Sequence, residues 1–532
     1  MPRAISTLIG TNLVPTPEEA LEISRIVSEK QLAQQRLQSE IQKAQEALEK
    51  LSQDQCELQA IVETHRNLLA PFRRICPEIL GEIFLQCLPG DHEPSSPFHL
   101  HSPIVLTRVS RLWRAVALTT PRLWAEITDY VSQRRAPVCG GEVDNTSETW
   151  LRLSRSCPLY ITLHDKGTLG IPLQRDWESV AATFLEHSTR WKTLTITHPD
   201  TSLSLFRADD MQTLSLEAVD ITATSWKSHD DTAMGRLAGA LHSSPRLRKF
   251  SWRTGWLDFH ESLLAIPWNQ LTHVELDCRI SLDSFTKISS QLTNVEHCSL
   301  HRVWGERSQL APAPPAILPH MKVFELSCAM SITSLLSAVV LPAITELKID
   351  HFAAAMGAHA PSWSQPAFDA LFTGSSCNLR RLFLDVQTPI SELEILACLQ
   401  LASNTLVELY IGGTVKVDDQ VLSALTAQKT GPAAAFICPK LEILDLRRCL
   451  CSSDGALADM VASRWKEDRE WEGHSADFPG LSRLSLLTLM IYSRRTSVLH
   501  MGSLKTDHDD DLERLNEMRL KGLCGQITHY VS

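Results

Sequence analysis

The sequence contains no run of about 18 uncharged apolar residues, so no segment of it reads as a membrane-spanning helix. It has no Gly-x-x-x-x-Gly-Lys-Ser/Thr loop, the usual cradle for nucleotide phosphates. It has no His-Glu-x-x-His, no Gly-x-Ser-x-Gly elbow and no kinase motif set, which excludes the commonest hydrolytic and phosphoryl-transfer machineries. Basic residues are in deficit: 51 Lys and Arg against 62 Asp and Glu give a net charge of −11. That balance argues against nucleic acid and against a polybasic membrane contact as partners. The 14 cysteines run from Cys56 to Cys524 without a Cys-x-x-Cys pair, and Cys449 and Cys451 read as structural thiols. The opening Met1-Pro2-Arg3-Ala4 lacks the basic-then-apolar pattern of a secretory signal. Together these predict reduced, mostly buried thiols in a cytoplasmic and/or nuclear protein.

Candidate metal ligands are equally sparse. His99 and His101, with His92 upstream, stand two residues apart in a Pro/Ser-rich loop, a poor tetrahedral set without a helix or a Cys partner. The carboxylates of Glu467, Asp468 and Glu470 read as a solvated face, and those of Asp509, Asp510 and Asp511 as the start of a helix. The expectation is a protein with no catalytic residues, no metal and no cofactor, and not an enzyme.

What is present is long-range order. At 532 residues and 43% hydrophobic, the chain suits two or more domains or one elongated repeat array. Residues 1–17 carry three prolines and read as a loose tail. Residues 18–68 are rich in Glu, Gln, Lys, Ala and Leu, without Pro or Gly, a helix composition. Two interleaved seven-residue sets run along it, Val27, Gln34, Ile41, Leu48, Gln55, Val62 and Ile23, Lys30, Leu37, Ala44, Leu51, Leu58. This is a coiled-coil-like seam with polar interruptions, suited to self-association or to packing on the chain's own body.

Next come Ile75-Cys76-Pro77-Glu78-Ile79-Leu80-Gly81-Glu82-Ile83-Phe84, then Val105 to Arg114, then Pro121-Arg122-Leu123-Trp124. The apolar residues keep three-to-four spacing, and Pro77 and Glu78 suit a first helical turn. Residues 131–157, with Pro137, Gly140 and Gly141, read as a linker. Over 158–500 an apolar-x-x-apolar-x-apolar template recurs about eleven times at intervals of roughly 20–40 residues, the sign of stacked strand-and-helix units. Its copies include Trp191/Leu194/Ile196, Met211/Leu214/Leu216, Leu247/Phe250/Trp252, Leu382 with Leu384, and Leu481/Leu484/Leu486, after an opening Leu159/Ile161/Leu163 strand. Helical stretches such as 237–241 and 335–340 lie between copies. Residues 501–532 read as a polar C-terminal cap. Trp252, Trp256 and Trp268 fall in adjacent units, as core anchors or, for Trp256 and Trp268, as partner anchors on the rim.

The block over 69–130 resembles the F-box, and the array over 158–500 resembles a degenerate leucine-rich-repeat solenoid. The order of helix, F-box-like block and repeats is similar to that of F-box proteins common in mushroom-forming fungi. The resemblance implies an α/β chain: an N-terminal helix, a small all-α F-box, then an α/β solenoid with parallel strands. It implies a substrate-recognition subunit of an SCF-type ubiquitin ligase, bound to a Skp-type adaptor and through it to a cullin, with the repeats holding a target protein. Carried over by residue, the adaptor-facing positions are Pro77, Glu78, Ile79, Leu80, Ile83 and Phe84, then Leu106, Val109 and Trp113. Cys76 stands where a proline is usual, Ser110 replaces a usual cysteine, and the spacer from Pro89 to Pro103 is long. The alternative is an interaction scaffold, outside ubiquitin chemistry, that dimerises through the N-terminal helix. The receptor arrangement leaves Ile79, Ile83 and Phe84 partly accessible; the scaffold covers them.

Overall fold

The computed structural model describes residues 11–69, 71–88, 102–130, 146–164, 182–200, 212–225, 231–304, 314–328, 332–351, 363–386, 390–428, 436–467, 470–471, 478, 480–493 and 508–531. His92, His99 and His101 lie outside them. The chain divides into two compact units, Met1–Ala117 and Leu118–Ser532.

The first unit begins with α1 (Pro17–Leu69), a helix of 53 residues. Its start is a reciprocal cap: the Thr16 amide donates to Glu19 Oε2 at 2.9 Å and the Glu19 amide to Thr16 Oγ1 at 3.4 Å. Along its flank Gln42, Gln53 and Gln59 each donate to the glutamate four residues on, the side-chain pairing that supports a helix with little packing. Val27, Leu37, Ile41, Leu48, Leu51 and Leu58 of the heptad sets are all exposed. A 3₁₀ turn (Pro71–Arg74) leads to α2 (Pro77–Gln86), followed by α3 (Ser102–Val109) and α4 (Arg111–Thr119).

The second unit is a ladder. Its strands are β1 (Glu126–Tyr130), β2 (Leu159–His164), β3 (Trp191–Asp200), β4 (Ala218–Ser225), β5 (Lys249–Asp258), β6 (His273–Ser281) and β7 (His297–Trp304). They continue as β8 (Ala316–Ile317), β9 (Val323–Cys328), β10 (Val339–Val340), β11 (Glu346–His351) and β12 (Arg381–Val386). The last four are β13 (Glu408–Gly413), β14 (Ile443–Arg447), β15 (Leu486–Ser493) and β16 (Cys524–Val531). Fourteen of them form one sheet in chain order, every neighbour parallel, and β8 and β10 pair separately. Parallel neighbours need a crossover between them, and the helices at Gln365–Ser375, Glu392–Ala402, Asp419–Leu425, Ala456–Arg464 and Asp509–Leu520 adjoin one another in the same order. This mixed α/β arrangement is compatible with a solenoid of strand-and-helix units.

The apolar template sets the register. Leu347 lies beside Phe324 and Leu382, and Ile349 beside Leu326 and Leu384, so each inward side chain stacks on its equivalents. Phe324, Leu347, Ile349, Leu382 and Leu384 are fully buried while the residues between them face out. Two template segments fall elsewhere. The strand near Met211/Leu214/Leu216 is β4, in which Val219 and Ile221 lie beside Leu194 and Ile196, and Leu214 is exposed. The strand near Leu481/Leu484/Leu486 is β15, with Leu487 and Leu489 beside Leu444 and Leu446 and Leu486 exposed. The helical stretch expected at 335–340 is a single turn, Thr333–Leu336, and then β10. In the C-terminal segment the helix expected to start at Asp509–Asp511 runs over Asp509–Leu520, and the edge strand β16 follows it.

Arg464 is the one charged side chain among the largest fully buried residues. It donates to the carbonyls of Leu425 (2.5 Å), Ile437 (2.7 Å) and Cys438 (2.8 Å), with Phe436 under its guanidinium at 5.5 Å. Burial lowers its pKa to about 10, so it stays protonated at neutral pH.

Candidate interaction surfaces

In α2 the extended Cys76 caps the helix through its backbone alone: its carbonyl accepts from the Leu80 amide at 3.0 Å, and no side-chain cap forms. Pro77 follows at the first helical position, where its missing N–H costs nothing. One helical column, Leu80 and Phe84, is buried, the phenyl ring at 0% exposure. The adjoining column, Ile79 and Ile83, is open, at 54% and 42%. Pro77 and Glu78 are also exposed. α2 packs on α3, where Leu106 is buried and Val109 is 54% exposed. Trp113 of α4 is half-buried and meets Phe84 with ring centroids 4.9 Å apart and planes inclined by 52°. Ser110 caps α4, its Oγ accepting from the Trp113 amide at 3.1 Å, so this departure from the family pattern has a local role.

The nine carried-over residues therefore split. Leu80, Phe84, Leu106 and Trp113 hold the helices together, while Pro77, Glu78, Ile79, Ile83 and Val109 face outward. Phe84, expected to be partly accessible in the receptor arrangement, is closed off. Trp124 also departs from expectation, since it packs edge-on against Trp150 at 5.3 Å within the second unit. Of the twelve cysteines whose burial is described only five are buried, which corrects the expectation that most are; five others, Cys76 and Cys87 among them, are exposed. The thiols of Cys278 and Cys298, which point into the sheet core, are pushed by burial up to about 12 and act as small apolar fillers.

The outward face of the sheet is polar and cross-linked. Arg253 on β5 reaches Asp220 on β4 and Glu275 on β6, each at 2.9 Å, and Ser251 Oγ donates to Glu275 at 2.7 Å. Ser299 Oγ donates to Glu325 at 3.0 Å, and Tyr410 to Asp385 at 3.1 Å. Burial raises the Asp220 carboxyl above its ordinary value against the pull of Arg253. Asp350 and Asp385 share a register position on adjacent strands, and burial, then the Asp385 charge, raises Asp350 as well. Burial lowers His301.

At the ends of β5 and β7 the tryptophans divide. Trp268 is core, its indole N–H donating to the Leu263 carbonyl at 3.2 Å. Trp256 is 58% exposed with the Arg302 guanidinium over its ring at 5.1 Å, and Arg279 covers Trp304 at 4.7 Å. Arg302 has φ 61° in a bulge of β7 and also pairs with Asp277. Sequence reasoning grouped Trp256 with Trp268 and overlooked Trp304.

Asp454, His508 and Asp511 form the one cluster of metal-ligating side chains among the described residues. Its atoms are already engaged: Asp454 accepts from the Asp510 and Asp511 amides at 3.2 and 3.1 Å, Asp511 from the Ala458 amide at 2.8 Å, and His508 Nδ1 lies 3.1 Å from Asp511. The cluster ties together two helix N-termini, which favour carboxylates. Cys449 and Cys451 each donate to a carbonyl of the preceding unit, those of Ile411 and Val417, both at 3.4 Å. Among the described residues no helix is long and apolar enough to cross a membrane.

No known family model matches the chain, and none of the curated proteins compared with it is significantly similar.

Proposed function

We propose that this protein is a non-catalytic substrate-recognition subunit of an SCF-type ubiquitin ligase: an F-box formed by α2–α4 binds a Skp-type adaptor, and a leucine-rich-repeat-like solenoid holds a target protein. The observation that carries the reading is the division of α2 into a buried column, Leu80 and Phe84, and an open apolar column, Ile79 and Ile83. A small helical module with exposed branched side chains on one edge of its first helix has a surface suited to a helical partner. The residues concerned carry the F-box-like pattern, and Val109 adds to them from α3. The repeat array supports the second half of the proposal, because a long parallel ladder offers an extended face without reactive chemistry. At the ends of β5 and β7 Trp256 and Trp304 have the exposure and the arginine neighbours common in binding hot spots.

The test is co-purification of the full chain with a Skp-type adaptor beside an Ile79→Asp/Ile83→Asp double variant. Both positions are exposed, so the variant keeps its circular dichroism while adaptor capture falls to background. Undiminished capture by the variant, or no capture by the parent chain, removes the proposal.

A further inference from the structure

We infer that α1 is the seam of a two-fold homodimer in which the helices of two copies run antiparallel, with the symmetry axis between Gln42 and Lys43. The inference is independent of the adaptor reading. It starts from a helix of 53 residues whose apolar seam is open along its length. An apolar seam open over so many turns is a surface suited to burial against another helix.

The sequence of the seam selects the orientation. In a parallel pair each residue meets itself, so Lys30 opposes Lys30 inside the seam and Ala44 opposes Ala44, leaving a gap. The flanking pairs of that arrangement, such as Glu40 with Gln45 and Asp54 with Gln59, join no opposite charges. In an antiparallel pair the two seam sets face each other, and one register resolves these conflicts together. Leu37 then meets Leu48 of the second copy, Ile41 meets Ala44, and Val27 meets Leu58. Lys30 meets Gln55 of the second copy, polar against polar, and its neighbour Asp54 supplies the opposite charge across the small Ala33 side chain. Ile26 and Ile61, both exposed and off the seam, become a flanking apolar pair. Gln34 against Leu51 is the one mismatched layer in each half. Antiparallel helices also set the positive end of each dipole beside the negative end of the other.

The paired region, residues 23–62, is about 60 Å long at 1.5 Å per residue, and the same rise sets Leu69 of one copy about 80 Å from Leu69 of the other. The two points at which the chain leaves α1 are therefore far apart in the dimer.

Sedimentation of the full chain, with cysteine cross-linking, tests the inference. In a Cys56→Ser background, one preparation carries Leu37→Cys and a second carries Leu48→Cys. A dimer that gives a disulfide between residues 37 and 48 only when the two preparations are mixed is the expected result. Disulfides of 37 with 37 and 48 with 48 in the separate preparations overturn it in favour of a parallel pair, and a monomer overturns it outright. As a second measurement, Lys30→Glu is expected to weaken dimerisation about tenfold or more, and Lys30→Glu with Asp54→Lys to restore it. A double variant as weak as the single one overturns the assigned register.

Discussion

The guanidinium of Arg464 donates to the carbonyl of Cys438 across 2.8 Å, from a position with no access to solvent. Among the described residues no carboxylate pairs with it; three main-chain carbonyls do the work of a counter-ion. Arg464→Met removes the donors and leaves buried acceptors unpaired, which is expected to cost on the order of 3 kcal/mol. Urea unfolding followed by circular dichroism measures this, and a midpoint within error of the parent contradicts it.

Phe84 and Trp113 predict a different kind of damage from the surface of the same helix. Phe84→Ala opens a cavity against the Trp113 ring and is expected to destabilise the first unit by about 3–5 kcal/mol. Tryptophan fluorescence and thermal unfolding report the loss. Ile79→Asp, from the exposed column, is expected to leave both unchanged.

Histidines on the polar face make stability fall with acid. Burial lowers His301 below its ordinary 6.5, and burial with the stacked His297 lowers His273. The folded state then binds a proton less readily than the unfolded chain. Their contribution is fully present above about pH 6.5 and is lost as pH falls through the depressed folded values. His301→Gln is expected to flatten the decline in urea midpoint between neutral pH and pH 5; an unchanged slope excludes His301 as a source.

Asp350 works in the opposite sense. Its carboxyl is raised by burial and by Asp385, so the folded state favours the protonated form. That contribution is present below the ordinary 3.8 and lost as pH rises through the folded value, leaving the ionised group a cost at neutral pH. Asp350→Asn is expected to stabilise the protein at pH 7 by less than about 1 kcal/mol, since the site is half open to solvent and screened. A lower melting temperature for the variant contradicts this.

Much of the ladder was legible in the sequence because a buried strand needs apolar residues at alternate positions, and Leu382 with Leu384 is as plain a case as any. The two displaced strands show where that signal becomes ambiguous. Leu216 and Leu484 each belong to two overlapping templates, and the true strands continue through Val219 and Ile221, or Leu487 and Leu489. The β-branched pair in β4 was the better guide, since such residues favour the pleated backbone. In α2 the spacing named Ile79, Leu80, Ile83 and Phe84 together, but periodicity alone does not say which of two adjoining columns turns inward. Trp256 and Arg302 were beyond reach, because a bulge in β7 brings them together and nothing in the pattern of β7 announces it.

A sheet whose spatial order repeats the order of the chain has a consequence for how it is made. Every strand pairs with its near neighbours in sequence, so closing each contact requires only a short loop of chain, unlike the distant pairings that slow most parallel sheets. Assembly can begin at any well-packed pair, β5 with β6 for instance, and spread outward unit by unit. An emerging chain can add each new strand to an edge that is already folded. By the same logic damage stays local: a weakened terminal unit such as β16 frays while the middle of the ladder holds.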